Sequence, residues 1–520
     1  MHIRNILTLL FLLFIVSICA KAQFPQFPQF QQGMFPFPQP GFQRPGNGQM
    51  QMPSPFSGGM GNMQGMTVSE GPAYSSRITL SSSNLPIIKI DTKGTSITNE
   101  RKSDAWMEII DNNGKSRNSI DDDAAFSGRI GIKLRGNSSV SFDQKRYTIE
   151  TRDDEGNDMD VSLLGLPAES DWVLLAPYND ISMIRDILAF SLWNDMGHWG
   201  PHTRLCELTV NNSYRGVYIL TETIKRSPSR LDIAKLRKTD NTGTELTGGY
   251  ILRIDAYDRD DKVFRSAVRG VGTGMSTRDV FWTCYSPDKE KITQEQYDYI
   301  HGYIDETEKA IQLSGTDDSD EYSKYINTES FVDYFIHTEV TQNADGLKRS
   351  AYFHKKKQNA DGSGGKLNAG PVWDYNLAFG NCSFCNADEI TAWVYDGCET
   401  NPTPAMWKTL SRNTSFMNKV RKRYSELRKT VLSTERLNSF IDGYAQTLSE
   451  AQERHFAQFS DLLKTQSAQS GGHGISWMIP GGNGLAWFSA YTVSSYQEEI
   501  DILKNWLSER LAFLDRNWLE

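Results

Sequence analysis

From about Arg77 to Asp255, apolar and polar residues alternate in short runs, and each run predicts a strand. The runs are LPIIKID, AWMEII, GRIGIKLRG, RYTIET, WVLLA, LCELTVN, YRGVYIL and YILRID. Turn signals such as Asn112-Asn113-Gly114 and Asp154-Glu155-Gly156 separate them. One helical period interrupts, from about Ser182 to Met196, with Ile184, Leu188 and Leu192 on one face and Gly197 as its stop. The economical reading is a sheet carrying a lone helix.

Beyond Ile292 the period changes to that of helices. Thr293 and Gln296 have the spacing of a capping box, and Tyr297, Ile300, Ile304 and Ile311 then mark one face. A second helix is expected from about Ser330 to Gln342, and Glu435 to Leu463 is helical in composition. In the last helix Tyr496, Ile500, Leu503, Leu507, Leu511 and Leu514 recur at helical spacing. The pattern therefore gives an α+β chain, β-rich in its first half and mostly helical in its second.

The amino terminus belongs to neither pattern. Arg4, an apolar run from Ile6 to Ile18 and Ala20-Lys21-Ala22 read as a secretory signal peptide over residues 1–22; a lipid anchor through Cys19 is the weaker alternative. Residues 23–70 are rich in Pro, Gln, Gly, Met and Phe and cannot build a packed core, so a disordered spacer is expected there. No later stretch is long and apolar enough to span a bilayer. The protein is thus expected to be exported, to a periplasmic, cell-surface or extracellular location.

Composition narrows the class further. Loss of Arg4 and Lys21 with the signal takes the formal charge from −9 to about −11, with both signs mixed along the chain, and this excludes a nucleic-acid footprint. With 38% hydrophobic residues, the chain can bury a sizeable core. Of the cysteines that remain, Cys382, Cys385 and Cys398 form a local trio; without a nearby His they suit a local disulfide better than zinc, and the odd count leaves one thiol over.

The chemistry concentrates in two segments. In FVDYFIHTEVTQNADGLKRSAYFHKKK a helix runs into a loop carrying Asp345, and in GKLNAGPVWDYNLAFG a strand delivers Asp374. Helix, loop Asp, strand, turn, strand and second Asp is the order in which kinases present a catalytic base and then a Mg²⁺ ligand. Phosphoryl transfer needs mainly positioning and charge neutralisation, so a cation from the β-rich half should complete the set. Lys145, immediately before RYTIET, is the candidate, with Lys133 and Arg135 as competitors. Each residue alone has a plainer reading: Asp345-Gly346 is a common turn pair, and Asp374 could be a buried structural carboxylate. Asp180 reads as a helix cap paired with Arg185, and His473 as part of a Gly-rich surface loop.

These segments carry a resemblance. LRGNSSVSFDQKRYTIE, APYNDISMIRDILAFSLWNDMG, NNSYRGVYILTETI, GGYILRID, NADGLKRSAYFHKK and GPVWDYNLAFG resemble, in order, the spore coat protein H (CotH) kinase family over roughly residues 85–515. The resemblance implies a two-lobed, atypical protein-kinase-like fold over residues 77–520, with the β-rich lobe at about 77–255 and the helical lobe at about 290–520. It implies Asp345 as the catalytic-loop Asp, Asp374 as the metal-binding Asp, Lys145 as the nucleotide-binding Lys, and Glu222 at the hinge between lobes. It also sets Ser350 and Asn376 in metal-site positions where the family often carries Asn and Asp, which weakens the expected metal site. The expected cofactors are ATP and Mg²⁺ or Mn²⁺, and the expected substrates are Ser or Thr hydroxyls of exported or surface proteins. The rivals are a kinase-like secreted scaffold that has lost turnover, and a polysaccharide-associated module suggested by 12 Trp and 21 Tyr.

Overall fold

The computed structural model describes residues 67–272, 279–397, 402–463 and 491–520. The expected signal peptide, the spacer as far as residue 66, Cys398 and His473 lie outside the described residues. Within the stretch read as spacer, Ser69–Glu70 form a short strand paired with Ile97–Thr98.

The alternating runs of the first half build seven strands: β1 (Ile87–Asp91), β2 (Ser103–Ile110), β3 (Phe126–Arg135), β4 (Arg146–Arg152), β5 (Asp171–Leu175), β6 (Thr203–Val210) and β7 (Ser213–Glu222). They do not form an open sheet. In the order β6-β7-β5-β4-β3-β2-β1 they close into a barrel, sealed by a parallel pairing of β6 with β1. Closure removes the unpaired edges, and alternation alone cannot distinguish a closed sheet from an open one.

Side-chain parity fills the barrel. Ile88 and Ile90 of β1, Ile130, Ile132 and Leu134 of β3, Tyr147 and Ile149 of β4, and Leu208 and Val210 of β6 share one interior core. The opposite faces of β5, β6 and β7 are covered too: Val173, Leu175, Leu205, Val217 and Ile219 belong to the larger core shared with the helices. Burial on both faces explains why these strands read as nearly continuous apolar runs. Between β5 and β6 lies the lone expected helix, α1 (Arg185–Asp195).

A second, five-stranded antiparallel sheet follows, built from β8 (Tyr250–Ile254), β9 (Val263–Arg265), β10 (Phe281–Ser286), β11 (Ala351–Lys355) and β12 (Leu367–Ala369) in the order β9-β10-β8-β11-β12. YILRID, grouped by pattern with the barrel strands, therefore pairs elsewhere, Ile254 facing Ala351 across the ladder. Helices α2 (Gln294–Asp317), α3 (Thr328–Thr341), α4 (Ala405–Leu410), α5 (Thr414–Arg428), α6 (Thr434–Leu448), α7 (Ala451–Gln458) and α8 (Tyr496–Trp518) complete an α+β fold. The Thr293 capping box forms with both its hydrogen bonds, and the six apolar positions expected on the last helix are all buried.

Among the described cysteines, Cys385 is in a disulfide, whereas Cys206, Cys284 and Cys382 are free, buried thiols. The expectation of one spare thiol is corrected: Cys206 lies in the barrel core, Cys284 in the core shared with the helices and Cys382 in a small separate cluster, each unpaired. No helix of the described residues is long and apolar enough to cross a membrane.

The barrel is fastened to the helical half by α7. Gly216, at φ +97°, permits the approach: a Cβ there would stand 2.8 Å from His455 Nδ1 and 2.9 Å from the Phe459 ring. The Val217 amide donates to His455 Nδ1 at 3.2 Å, so the ring must be neutral there, and burial pushes its pKa down to about 3. A histidine depressed from its ordinary value of 6.5 contributes stability that is present above pH 6.5 and lost as pH falls toward 3. Relative to His455→Gln, the native protein is expected to lose about 2 kcal/mol of unfolding free energy between pH 7.5 and pH 5. Urea titrations at the two pH values check this; parallel losses in both proteins would contradict it.

Candidate active site

Helix α3 delivers the first carboxylate. It is buried along nearly its whole length, and its carboxyl end turns through Gln342, left-handed at φ +44°, into the loop Asn343-Ala344-Asp345. Inside the helix, fully buried Glu339 pairs with Arg510 of α8 at 3.0 Å and accepts from the amides of Val394 and Tyr395, both at 3.1 Å. The end of α3 is thereby held before the loop begins. The Asp345 carbonyl then accepts from the amides of Lys348 and Arg349 at 3.2 and 2.8 Å, a tight turn that sets the side chain free of the helix axis.

The hairpin of β11 and β12 delivers the second. Asp374 follows the hairpin in a left-handed conformation, φ +63°, which a non-glycine residue adopts only where its surroundings impose it. Three contacts impose it. Asn343 donates from Nδ2 to the Asp374 carbonyl at 3.1 Å while its Oδ1 accepts from the Asp345 amide at 3.2 Å, so one side chain spaces the two aspartates. The Tyr375 amide donates to Asp186 Oδ1 of α1 at 2.6 Å, and Arg146 Nη1 of β4 meets Asp374 Oδ1 at 3.0 Å.

Around this pair stands a wider set of charges. Burial raises the Asp345 carboxyl; Arg349 and Lys348 oppose the rise, while Asp374 and Asp255 add to it. Asp255, next to the end of β8, is likewise raised by burial, against the pull of Arg253. Asp186, almost wholly buried, is pushed up to about 7, first by burial and then by Asp374. Four carboxylates thus crowd one region, with Arg146, Arg349, Lys348 and Arg253 offsetting them. Arg135, directly across from Arg146 in the β3/β4 ladder, lays its guanidinium 4.8 Å from the centre of the Trp373 ring.

The expected residues are only partly brought together. Asp345 and Asp374 are linked through Asn343, and the charge of Asp374 is felt at the Asp345 carboxyl. Asn376 lies in the same loop, buried, donating to Asn179 Oδ1 at 2.7 Å and accepting at its carbonyl from Asn381. Ser350, left-handed at φ +47°, lies in the turn between the Asp345 loop and β11. Lys145 is placed apart: its ammonium donates to the carbonyls of Val140, at 2.9 Å, and Phe142, and its charged neighbours are Glu70 and Asp143. Glu222 is fully buried, and one carboxylate oxygen accepts from the His202 amide and ring at 2.9 and 2.8 Å. It braces the end of β7 and does not face the aspartates.

Arg146, Asp186, Asn343 and Asp255 were missed. A signal for Arg146 was present: Tyr147 and Ile149 are the apolar residues of RYTIET, so parity sends Arg146 to the outer face and Lys145 to the inner side. The cap expected at Asp180 is present in an extended form. Its Oδ2 accepts from the Arg185 amide at 2.9 Å and its Oδ1 pairs with the Arg185 guanidinium at 2.6 Å. Arg185 also meets Glu499 at 2.6 Å and donates to the Ala378 carbonyl, in the loop after Asp374, at 3.0 Å.

The donor set suits a hard cation, being oxygen only. Among the described residues no three His, Cys, Asp or Glu side chains come close enough together to hold a metal ion by themselves. Nucleotide phosphate and water would therefore have to fill most of the shell, the arrangement Mg²⁺ adopts at phosphoryl-transfer sites.

The CotH kinase protein family model matches residues 132–514, and the chain belongs to that family. This span includes the barrel strands that carry Arg135 and Arg146, both aspartate loops and most of α8. No curated protein matches the chain. Among solved structures, the chain is similar to a Helicobacter pylori proinflammatory kinase, CtkA, at 11% identity and a TM-score of 0.21, over 59% of this chain and 94% of that one.

Replacing Arg185 with Met leaves Asp180 and Glu499 buried without their cation and is expected to cost about 3–5 kcal/mol of unfolding free energy. Denaturant titration checks this, and a loss below about 1 kcal/mol would show that the cluster does not hold the site.

Proposed function

We propose that the protein is an ATP- and metal-dependent protein kinase, exported, with a two-lobed fold, that phosphorylates Ser or Thr hydroxyls of exported or surface proteins. The observation that carries the proposal is the convergence of Asp345 and Asp374, one from a helix end and one from beyond a hairpin, with Asn343 spacing them. Membership of the CotH kinase protein family supports the reaction class, and the geometry supports the roles.

Asp345 orients the acceptor hydroxyl and takes its proton. Its raised affinity for a proton suits that task, because a base closer to neutral pH retains more driving force. Asp374 would hold the divalent cation, with the neighbouring Asn376 and Ser350 as weaker oxygen donors. Bound Mg²⁺ or Mn²⁺ supplies neutralisation of charge on the phosphates. Asp186 and Asn343 position the backbone around Asp374.

The test is intact-mass measurement of the full chain and a generic acceptor protein after incubation with ATP and Mg²⁺ or Mn²⁺. Native protein is expected to transfer phosphate. Asp345→Asn should lower the rate about 10²–10⁴-fold while thermal stabilisation by metal–ATP persists. Asp374→Asn should lose both. Equal activity in the three proteins would overturn the assignment of roles, and a gain of nucleotide mass would redirect it to nucleotidyl transfer. One observation favours a second reading, a kinase-like scaffold: Asp374 is paired with Arg146. Absence of both transfer and metal–ATP stabilisation in the native protein is the outcome that reading requires.

A further inference from the structure

An arginine on the barrel's outer face is paired with Asp374, and the lysine beside it is engaged elsewhere. The Arg146 side chain, only 8% exposed, reaches Asp374 Oδ1 at 3.0 Å. Lys145, one residue earlier, would have to abandon two backbone carbonyls to reach the same place. Arg135 stands directly across the ladder from Arg146, so two guanidinium groups share one outer face beside Trp373 and Asp374. A guanidinium is a fork of donors matched to phosphate oxygens, and it stays charged when partly desolvated.

The same contact sets a condition on metal binding. A divalent cation coordinates a carboxylate oxygen at about 2.0–2.1 Å for Mg²⁺. A guanidinium nitrogen 3.0 Å from Oδ1 competes with a cation for that oxygen and repels the incoming charge. Removing Arg146 to water alone would leave the half-buried Asp374 carboxylate, 32% exposed, without its partner charge. Exchange of partners avoids this, because metal on Asp374 and phosphate on Arg146 keep every charge paired.

We propose that Arg146, and not Lys145, is the residue that receives the nucleotide phosphates, and that its pairing with Asp374 is a latch opened when metal and nucleotide bind together. The inference rests on the nucleotide-binding reading above, which it deepens. Metal alone binds weakly to the latched site, because it must displace Arg146 with no phosphate to receive it. Metal with ATP binds well, because the phosphates draw Arg146 away as the cation takes its place.

The experiment is a thermal-shift titration of the full chain with Mn²⁺ alone and with Mn²⁺ and ATP, on native protein, Arg146→Met, Arg146→Lys and Lys145→Met. Arg146→Met is expected to respond to Mn²⁺ alone at a concentration at least about fivefold lower than native, because the competing cation is gone. It should also lose the extra stabilisation that ATP gives. Arg146→Lys keeps a charge without the fork and should need about tenfold more ATP than native, which keeps the test informative if the methionine variant does not fold. Lys145→Met should titrate like native protein. Loss of the ATP response in Lys145→Met, with Arg146→Met unchanged, would overturn the proposal. If native protein shows no response to ATP at all, the nucleotide reading fails. The Mn²⁺ titration still decides the latch in that case, since equal Mn²⁺ midpoints in native protein and Arg146→Met would overturn it.

Discussion

A single buried guanidinium holds together the parts on which the site depends. Arg185 stands at the start of α1 with no exposure to solvent, and its partners come from three elements: Asp180 just before the helix, Glu499 on α8, and the Ala378 carbonyl in the loop that follows Asp374. A charge so deeply buried is tolerated only when its donors are satisfied, and here Tyr491 takes a further one at 2.7 Å. The geometry is demanding, so the three elements are held in one arrangement. Because α1 also presents Asp186 to the Tyr375 amide, the same helix that is pinned by Arg185 supports the backbone of Asp374.

A second buried pair, Glu339 with Arg510, does for the Asp345 loop what Arg185 does for the Asp374 loop. It joins α3 to α8 one turn before the loop begins. The last helix thus braces both aspartates, through Glu499 on one side and Arg510 on the other.

Much of the fold was legible because it is written in local periods. The eight alternating runs became strands, the capping box at Thr293 formed, and the apolar face of the final helix was buried as its spacing required. The two aspartates were also legible, since each depends on a local transition, helix to loop or hairpin to loop. On the nucleotide side, parity separates the two neighbouring cations. In RYTIET the inward residues are Tyr147 and Ile149, so the outward cation is Arg146, and Lys145 turns to cap the Ser138–Ser141 turn. The similarity of the two side chains in charge conceals how far apart a strand carries them.

By itself the sequence determined the elements, their order, the kinase-family membership and the two acidic loops, because these follow from residue types within a few positions of one another. Only the tertiary structure decided that seven strands close into a barrel, that YILRID joins a different sheet, and which charges meet. Arg146 and Asp374 are 228 residues apart, Asp186 and Tyr375 are 189 apart, and Arg185 and Glu499 are 314 apart. No local pattern encodes such contacts. They arise where burial removes water from a charge and the fold must supply a partner in its place.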